Sequence, residues 1–137
     1  MPLPGTAAML LSFDVEADAV HEHDHWHTHE PLPERLSLPG FHRGTRWICT
    51  GDGPRYMVLY EVDSLDTLSS PAYLARLNNP TPWTTKMMPH YRGMQRGLCR
   101  VLGRAGVGQG GVAALIRFAP DPGRAEALTR WLLDEVL

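Results

Sequence analysis

Short apolar runs, separated by proline, glycine and asparagine, divide this chain of 137 residues into a series of predicted elements. Four of the runs predict β-strands, over residues 7–15, 41–50, 55–62 and 91–102. The third run, RYMVLYEV, is apolar on both of its faces, which predicts a strand that is covered on both sides. The turn sequence GDGP over residues 51–54 lies between the second and third runs and predicts a β-hairpin.

Segments of helical character alternate with these strands. Residues 18–30 are polar and compatible with a helix, and Pro31 predicts its end because proline cannot continue the backbone hydrogen bonds. After the third strand, Asp63 or Ser64 can cap a second helix, which Pro71 interrupts. The order strand, helix, strand, strand, helix, strand predicts the α+β class and a ferredoxin-like βαββαβ unit.

One face of the predicted sheet is left without a cover. In a ferredoxin-like unit the helices cover only one face, yet the strand over residues 55–62 is apolar on both sides. Apolar surface of this kind needs a second sheet or a partner chain. We therefore expect a homodimer that pairs through the sheet face and forms a dimeric α/β barrel.

The chain divides into three sections. Residues 1–6 predict an N-terminal tail, and residues 7–105 predict the ferredoxin-like α+β barrel domain. Residues 106–137 begin with a glycine-rich link, followed by a predicted strand over 112–119 and a helix that opens at Asp121. This additional C-terminal strand and helix predict the start of a second, incomplete βα unit. Either the chain is a fragment of a two-repeat protein, or the extra piece decorates a single barrel.

Charge and apolar content argue against several classes of partner. The formal net charge is −2 and no basic stripe is present, so nucleic acid is not an expected partner. The apolar run over residues 7–11 is too short for a signal core or a membrane span, so we expect no membrane association and a cytoplasmic location. Cys49 and Cys99 are far apart in the chain and predict buried, reduced thiols instead of a disulfide framework.

The most unusual segment is the tract HEHDHWHTHE over residues 21–30. It contains the zinc-protease pattern H-E-x-x-H, but its two intervening residues are polar, and Pro31 stands where the extended motif needs a histidine. His21, His25 and His29 repeat every four residues and are weak candidates for a metal-binding row. A solvated helix face is the favoured alternative, and we predict no metal and no cofactor.

Several short motifs, taken together, resemble one superfamily. They are W-H-x-x-E from Trp26 to Glu30, LPERLSLPGF over 32–41, Arg46-Trp47, Tyr60-Glu61, SPAY over 70–73, LNNPTPWT over 77–84 and MPH over 88–90. This set covers about residues 8–118. It resembles the dimeric α/β-barrel superfamily and, within it, is most similar to the EthD-like group and its uncharacterised bacterial relatives. The resemblance implies a ferredoxin-like fold, dimerisation or a tandem repeat, and a pocket between the sheet and the helices.

The resemblance also implies candidate catalytic residues. His27 and Glu30 match the tryptophan-containing motif, but Pro31 stands where relatives usually carry a histidine. An acid or base role would then fall to His27, His29 or His90.

We predict that the catalytic residues are His27, Glu30, His90 and Arg46. His27 or His90 would move a proton because imidazole titrates near cellular pH, Glu30 would orient it, and Arg46 would hold a developing oxyanion. The predicted ligand-binding residues are Trp26, Tyr60, Trp83 and Tyr56.

Two classes of function fit these residues. The first is a cofactor-independent enzyme, an isomerase, a cyclase or a monooxygenase-like protein, that acts on a small carbonyl or phenolic compound. The second is a non-catalytic protein that uses the same pocket to bind a ligand, or a dimer that binds metal. The superfamily contains several chemistries as well as proteins without a known reaction, so fold alone does not choose between the two.

Overall fold

The computed structural model describes residues 3–137, and the first two residues of the predicted N-terminal tail lie outside that range. The helices and strands are β1 (Ala7–Val15), α1 (Val20–His29), α2 (Pro31–Leu36), β2 (Phe41–Ile48), β3 (Tyr56–Val62), α3 (Pro71–Asn78), α4 (Pro82–Met87), β4 (Tyr91–Arg100) and α5 (Ala125–Trp131). One-turn helices at Ala17–Ala19, Leu65–Ser69 and Met88–His90 precede α1, α3 and β4. In the described part of the chain, no helix is both long enough and apolar enough to span a membrane.

The four strands form one antiparallel sheet in the order β2-β3-β1-β4. Strand β1 lies in the middle, and its Met9 stands opposite Tyr60 on one side and opposite Leu98 on the other. This order, with a helical segment between β1 and β2 and another between β3 and β4, is that of the ferredoxin-like unit. The predicted α+β class and ferredoxin-like fold are therefore confirmed.

The hydrophobic core lies between the sheet and the helices. Alternate residues of the two central strands are buried on that side, namely Ala7, Met9, Phe13 and Val15 in β1 and Tyr56, Val58, Tyr60 and Val62 in β3. Because successive side chains of a strand point to opposite faces, these two sets belong to one face of the sheet. Burial of each large apolar side chain stabilises the fold by roughly 1.5–3 kcal/mol.

Prolines determine where several helices begin and end. Helix α1 stops before Pro31, which opens α2 and cannot continue the hydrogen bonds of the preceding helix. Pro71 and Pro82 stand at the first positions of α3 and α4, where a missing N–H has no cost. The hydroxyl groups of Ser70 and Thr81 cap these two helices.

The C-terminal segment leaves the sheet after β4. Residues 101–124 form neither a helix nor a strand and join no ladder, so the additional strand predicted over 112–119 is not part of the sheet. Gln109 and Arg117 donate side-chain hydrogen bonds to residues of β2 and β4, which place the segment across the open face. A segment can add to a sheet only by pairing its backbone with an edge strand, and this segment crosses the face of the sheet instead of running along an edge strand. The predicted helix does form, as α5, and the interpretation of residues 106–137 as the start of a second unit stays a prediction.

The two cysteines differ from their prediction, because both thiols are exposed. Cys49 comes directly after β2, and Cys99 stands opposite Ala8 on the sheet face that no helix covers. A cysteine in a strand is buried only if its face of the sheet is covered. The apolar pattern of the strand does not reveal which face that is.

Candidate functional site

A cavity of about 360 Å³ lies between the sheet and the helices. Its wall includes residues from three strands and from all four helices between β1 and β4. The lining residues are Met9, Leu11, Trp26, His27, Pro31, Glu34, Arg35, Tyr60, Tyr73, Arg76, Leu77, Pro80, Thr84, Met88, Tyr91, Met94 and Arg96. A volume near the lower end of the roughly 300–1,000 Å³ range of ligand pockets suits a small molecule.

Aromatic rings supply much of the cavity wall. Trp26, Tyr60 and Tyr73 are each at most 2% exposed, so their rings are held in place by the core. The indole N–H of Trp26 donates to Thr84 Oγ1 at 3.3 Å, which ties α1 to α4. Rings of this kind, together with flexible methionines such as Met88, favour a flat aromatic ligand.

His27 is the histidine that lines the cavity, and its protonation state follows from its surroundings. Burial and then the nearby charge of Arg46 lower the pKa of His27 to about 3, so the imidazole is neutral at pH 7. Arg46 Nη1 lies 3.0 Å from His27 Nδ1. Because a guanidinium can only donate, Nδ1 accepts, and the proton of the neutral ring sits on Nε2.

The Nε2–H group of His27 is therefore a hydrogen-bond donor that the protein leaves free. Among residues 3–137, His27 Nε2 has no hydrogen-bond partner, and the residue is 3% exposed. The hydroxyl group of Tyr60 is likewise unpaired within that range. Burial raises the pKa of Tyr60 to about 12 and raises that of Tyr91 as well, so both phenols keep their protons at neutral pH. At neutral pH, His27, Tyr60 and Tyr91 therefore supply hydrogen-bond donors to the cavity, and none of these three side chains acts as a strong base.

Charge in the cavity wall is predominantly positive. Arg35, Arg76 and Arg96 face a single carboxylate, Glu34, which lies 3.6 Å from Arg76 Nε. The whole chain has a formal net charge of −2, so the positive cavity is a local feature. A cavity with low-dielectric walls and one sign of charge attracts ligands of the opposite sign.

The four predicted catalytic residues occupy different surroundings. His27 lines the cavity, and Arg46 stands behind it, where it also donates to Thr28 Oγ1 at 3.1 Å. Glu30 accepts a hydrogen bond of 2.6 Å from Thr81 Oγ1, and in the described part of the chain it forms no hydrogen bond with His27. His90 lies outside the cavity.

Glu16 is the partner of His90, and the His90 Nδ1 to Glu16 Oε2 distance is 2.8 Å. The structure therefore brings His27 and Arg46 together and leaves Glu30 and His90 with other partners.

The predicted ligand-binding residues also divide into two pairs. Trp26 and Tyr60 line the cavity. Tyr56 is fully buried on the helix-covered face of the sheet but does not line the cavity. Its hydroxyl group donates to Asp24 Oδ1 at 2.5 Å. The indole N–H of Trp83 donates to Glu22 Oε1 at 3.2 Å on the outer side of α1.

The histidine tract forms α1 and presents two different faces. His21, His25 and His29 are exposed, while His23 and His27 are buried against the sheet. The tract is thus only partly the solvated face that the sequence favoured. In the range 3–137, no three histidine, cysteine, aspartate or glutamate side chains are grouped as a metal site would require.

Several lining residues were missed by the sequence reasoning. Tyr73 and Tyr91 complete the aromatic wall, and Arg35 and Arg96 supply most of its unneutralised charge. A partial signal existed for β4, where the alternation of side chains already places Met94 and Arg96 on one face. No comparable signal marks Arg35, because a helix of six residues has no clear apolar stripe.

No protein-family model and no curated protein matches this chain. Solved structures do match its fold. The haem-degrading protein MhuD of Mycobacterium tuberculosis, with two haems bound in its active site, gives a TM-score of 0.55 at 18% identity, over 73% of this chain and 99% of that one. SnoaB, a cofactor-independent oxygenase from Streptomyces nogalater, gives 0.54 at 18% identity, over 72% and 94%.

A dimeric ferredoxin-like protein from an uncultured marine organism gives a TM-score of 0.57 at 15% identity, over 83% of this chain and 94% of that one. At such identities the likeness establishes the fold alone. The chain therefore has the ferredoxin-like fold that the sequence resemblance implies, and the matches do not single out the EthD-like group.

Proposed function

We propose that the cavity binds a small, flat phenol or enol in its deprotonated form, and that the protein is a cofactor-independent, monooxygenase-like enzyme for that ligand. The observation that carries this proposal is the buried, neutral His27, which lines an aromatic and positively charged cavity and whose Nε2–H has no partner among residues 3–137. Preorganised donors in a low-dielectric site stabilise a developing oxyanion strongly.

The proposed role of the donors is to lower the pKa of the bound ligand. His27 Nε2–H and the Tyr60 hydroxyl would donate to the ligand oxygen, and Arg46 would hold the imidazole in the donating tautomer. Glu34, the one carboxylate in the wall, would take up the released proton or pass it to water. In this proposal His27 donates a hydrogen bond and does not act as the base.

The electron-rich enolate would then be oxidised by O₂. Where the enolate forms by loss of one proton from a CH₂ group, the remaining C–H bond of that carbon breaks and a C=O bond forms, while O₂ supplies the new carbonyl oxygen. The second oxygen atom leaves as water with the proton released earlier and the second hydrogen. The fold that this chain shares with SnoaB, a cofactor-independent oxygenase, supports the choice of this reaction for the first test.

A second candidate function is ligand binding without turnover. It is favoured by the positions of Glu30 and His90, which pair with Thr81 and Glu16 instead of forming an acid–base pair with His27. The same cavity would then act as a carrier or sensor site.

Three further assignments belong to this proposal. We place the chain near the EthD-like group on its sequence motifs, such as LNNPTPWT over residues 77–84. We expect a homodimer that pairs through the open sheet face, and we expect a cytoplasmic location. The exposed apolar side chains of the C-terminal segment support the dimer.

Anthrone is a suitable probe because its CH₂ group is flanked by two aromatic rings. Binding is measured by quenching of tryptophan fluorescence, to which Trp26 of the cavity wall contributes, and turnover by O₂ uptake with mass analysis of anthraquinone formed under ¹⁸O₂. We expect binding and label incorporation, and we expect His27→Phe to slow turnover by roughly 10²–10³-fold. His21→Gln, in an exposed histidine of the same helix, is the matched control.

Binding without O₂ uptake would replace the enzyme with the carrier or sensor. Absence of binding to anthrone and to related naphthols would overturn the proposal. Equal effects of His27→Phe and His21→Gln on turnover would show that the cavity is not where the reaction takes place.

A further inference from the structure

Two arginines of the cavity wall meet on a single tyrosine. The guanidinium carbon of Arg35, from α2, lies 5.5 Å from the centre of the Tyr73 ring. Arg96, from β4, donates from Nη2 to the Tyr73 hydroxyl at 3.2 Å and from Nε to Met9 Sδ at 3.2 Å. Tyr73 is 1% exposed, so it is a fixed platform for both guanidinium groups.

Neither guanidinium is neutralised by a carboxylate within the described range of the chain. Among residues 3–137, no carboxylate forms an ion pair with Arg35 or Arg96. Arg76, the third arginine of the wall, differs because Glu34 lies 3.6 Å away and the carbonyl oxygen of Asn79 accepts from it. The N–H groups of Arg96 donate to a thioether and to a phenol, which are weak partners for a guanidinium.

The charge of Arg35 reaches the interior of the cavity. Burial is the main cause of the raised pKa of Tyr60 and Tyr91, and the positive charge of Arg35 acts in the opposite direction on both. Arg35 also contributes to the lowered pKa of His27. A ligand in the cavity would experience the same field.

We infer that Arg35 and Arg96, arranged on Tyr73, form a carboxylate subsite, so that the ligand is an aromatic hydroxy acid and not a neutral phenol. The inference rests on the proposed function, because it assumes that the cavity binds a flat aromatic ring. Guanidinium groups bind carboxylates through paired N–H···O bonds, which are stronger than hydrogen bonds between neutral groups. Arg35 is half-buried and Arg96 is exposed, and both line the cavity, so a ligand can reach both.

The subsite is separate from the oxyanion donors of the proposed reaction. His27 and its partner Arg46 belong to α1 and β2, whereas the two subsite arginines belong to α2 and β4. A ligand that satisfies both places therefore carries a phenolic oxygen and a carboxylate at different positions of its ring system.

A matched pair of probes tests the subsite directly. 6-Hydroxy-2-naphthoate carries both groups, and 2-naphthol lacks only the carboxylate. Calorimetric titration of the full chain is expected to give an affinity at least about tenfold higher for the acid. Arg35→Gln and Arg96→Gln are each expected to reduce affinity for the acid about tenfold and to reduce the affinity for 2-naphthol much less, because 2-naphthol has no carboxylate to lose from the subsite.

Arg100→Gln is the control, because Arg100 is an exposed arginine of the same strand β4 that does not line the cavity. It is expected to change neither affinity. Titration of the unmodified protein at rising salt gives a second readout that needs no variant: affinity for the acid falls more steeply than affinity for 2-naphthol, because the acid carries one more negative charge.

The outcomes separate this inference from the proposed function. Equal affinities of the unmodified protein for the two probes would overturn the subsite and leave the cavity intact. If Arg96→Gln lowers the affinity for both probes equally, Arg96 has a structural role in holding Tyr73, and the subsite is overturned. If neither probe binds, the proposed function fails and the subsite fails with it.

Discussion

A single buried imidazole illustrates how burial changes the chemistry of a residue type. Histidine usually titrates near pH 6.5, and a row of histidines on α1 would be read as a pH-sensitive surface. His27 instead lies against the sheet, where burial and Arg46 keep it neutral. A neutral imidazole with one nitrogen occupied by a guanidinium is a fixed donor.

The lowered pKa of His27 predicts a dependence of stability on pH. In the unfolded chain the imidazole takes up a proton below about pH 6.5, while the folded state resists protonation down to about pH 3. The unfolded state therefore binds more protons across this window, and the free energy of unfolding falls as the pH is lowered. We expect a loss of about 2 kcal/mol between pH 7.5 and pH 5 from this residue.

Urea denaturation at a series of pH values measures this effect. His27→Gln should flatten the pH dependence, although His23, whose pKa burial also lowers, contributes in the same direction. The exposed His21→Gln should leave the slope as in the unmodified protein. Identical slopes in all three proteins would contradict the assigned state of His27.

At the scale of elements, the helices are tied together by hydroxyl groups at their ends. Thr81 caps α4 by accepting from Thr84 N at 3.0 Å and also donates to Glu30 Oε2 at 2.6 Å. Glu30 follows α1, so one threonine fixes the start of α4 against the end of α1. Trp26 and Thr84, which line the cavity, lie on the two helices that this contact joins.

Loss of this cap should weaken the helical layer. Thr81→Val keeps the shape of the side chain but removes both hydrogen bonds, and we expect the free energy of unfolding to fall by about 0.5–2 kcal/mol. Thr85→Val is the matched control, because Thr85 is an exposed threonine of the same helix whose hydroxyl only donates to Thr81 O. Thr85→Val should lower the free energy of unfolding by less than about 0.5 kcal/mol. Equal costs, measured by urea denaturation, would show that the cap does not hold α4 in place.

At the scale of the whole molecule, the C-terminal segment is poorly satisfied within one chain. Val112, Ile116 and Phe118 are 93%, 80% and 59% exposed, although the segment crosses the open face of the sheet. Contiguous apolar exposure of this kind marks an interaction surface. A second copy of the chain, pairing face to face, would cover it.

The proposed dimer can be tested without disturbing the fold of one chain. Ile116→Asp places a charge on a residue that has few contacts within the chain, so we expect it to convert a dimer into a monomer in light scattering after size exclusion. Leu74→Asp, in a 44% exposed leucine of α3 on the helical side, should remain dimeric. A dimer that survives Ile116→Asp would place the interface elsewhere, and an unmodified protein that is monomeric would contradict the homodimer.

Local signals in the sequence determined most of the fold. The strands over residues 7–15, 41–50, 55–62 and 91–102 were predicted to within a few residues, because apolar runs and turn residues act on their own neighbourhood. The prolines ended and opened helices for the same local reason. The order of these elements then predicted the ferredoxin-like unit, which the sheet order confirmed.

Only the tertiary structure decided which side chains share the cavity. The polar tract of α1 has too few apolar residues to fix its rotation, so the burial of His27 and the exposure of His25 follow from packing against the sheet. Arg35 and Arg96 are about 60 residues apart in sequence and meet on Tyr73 only because α2, α3 and β4 surround one cavity. Pairing between strands and helices that are distant in the chain depends on the complete core, and no local pattern of residues encodes it.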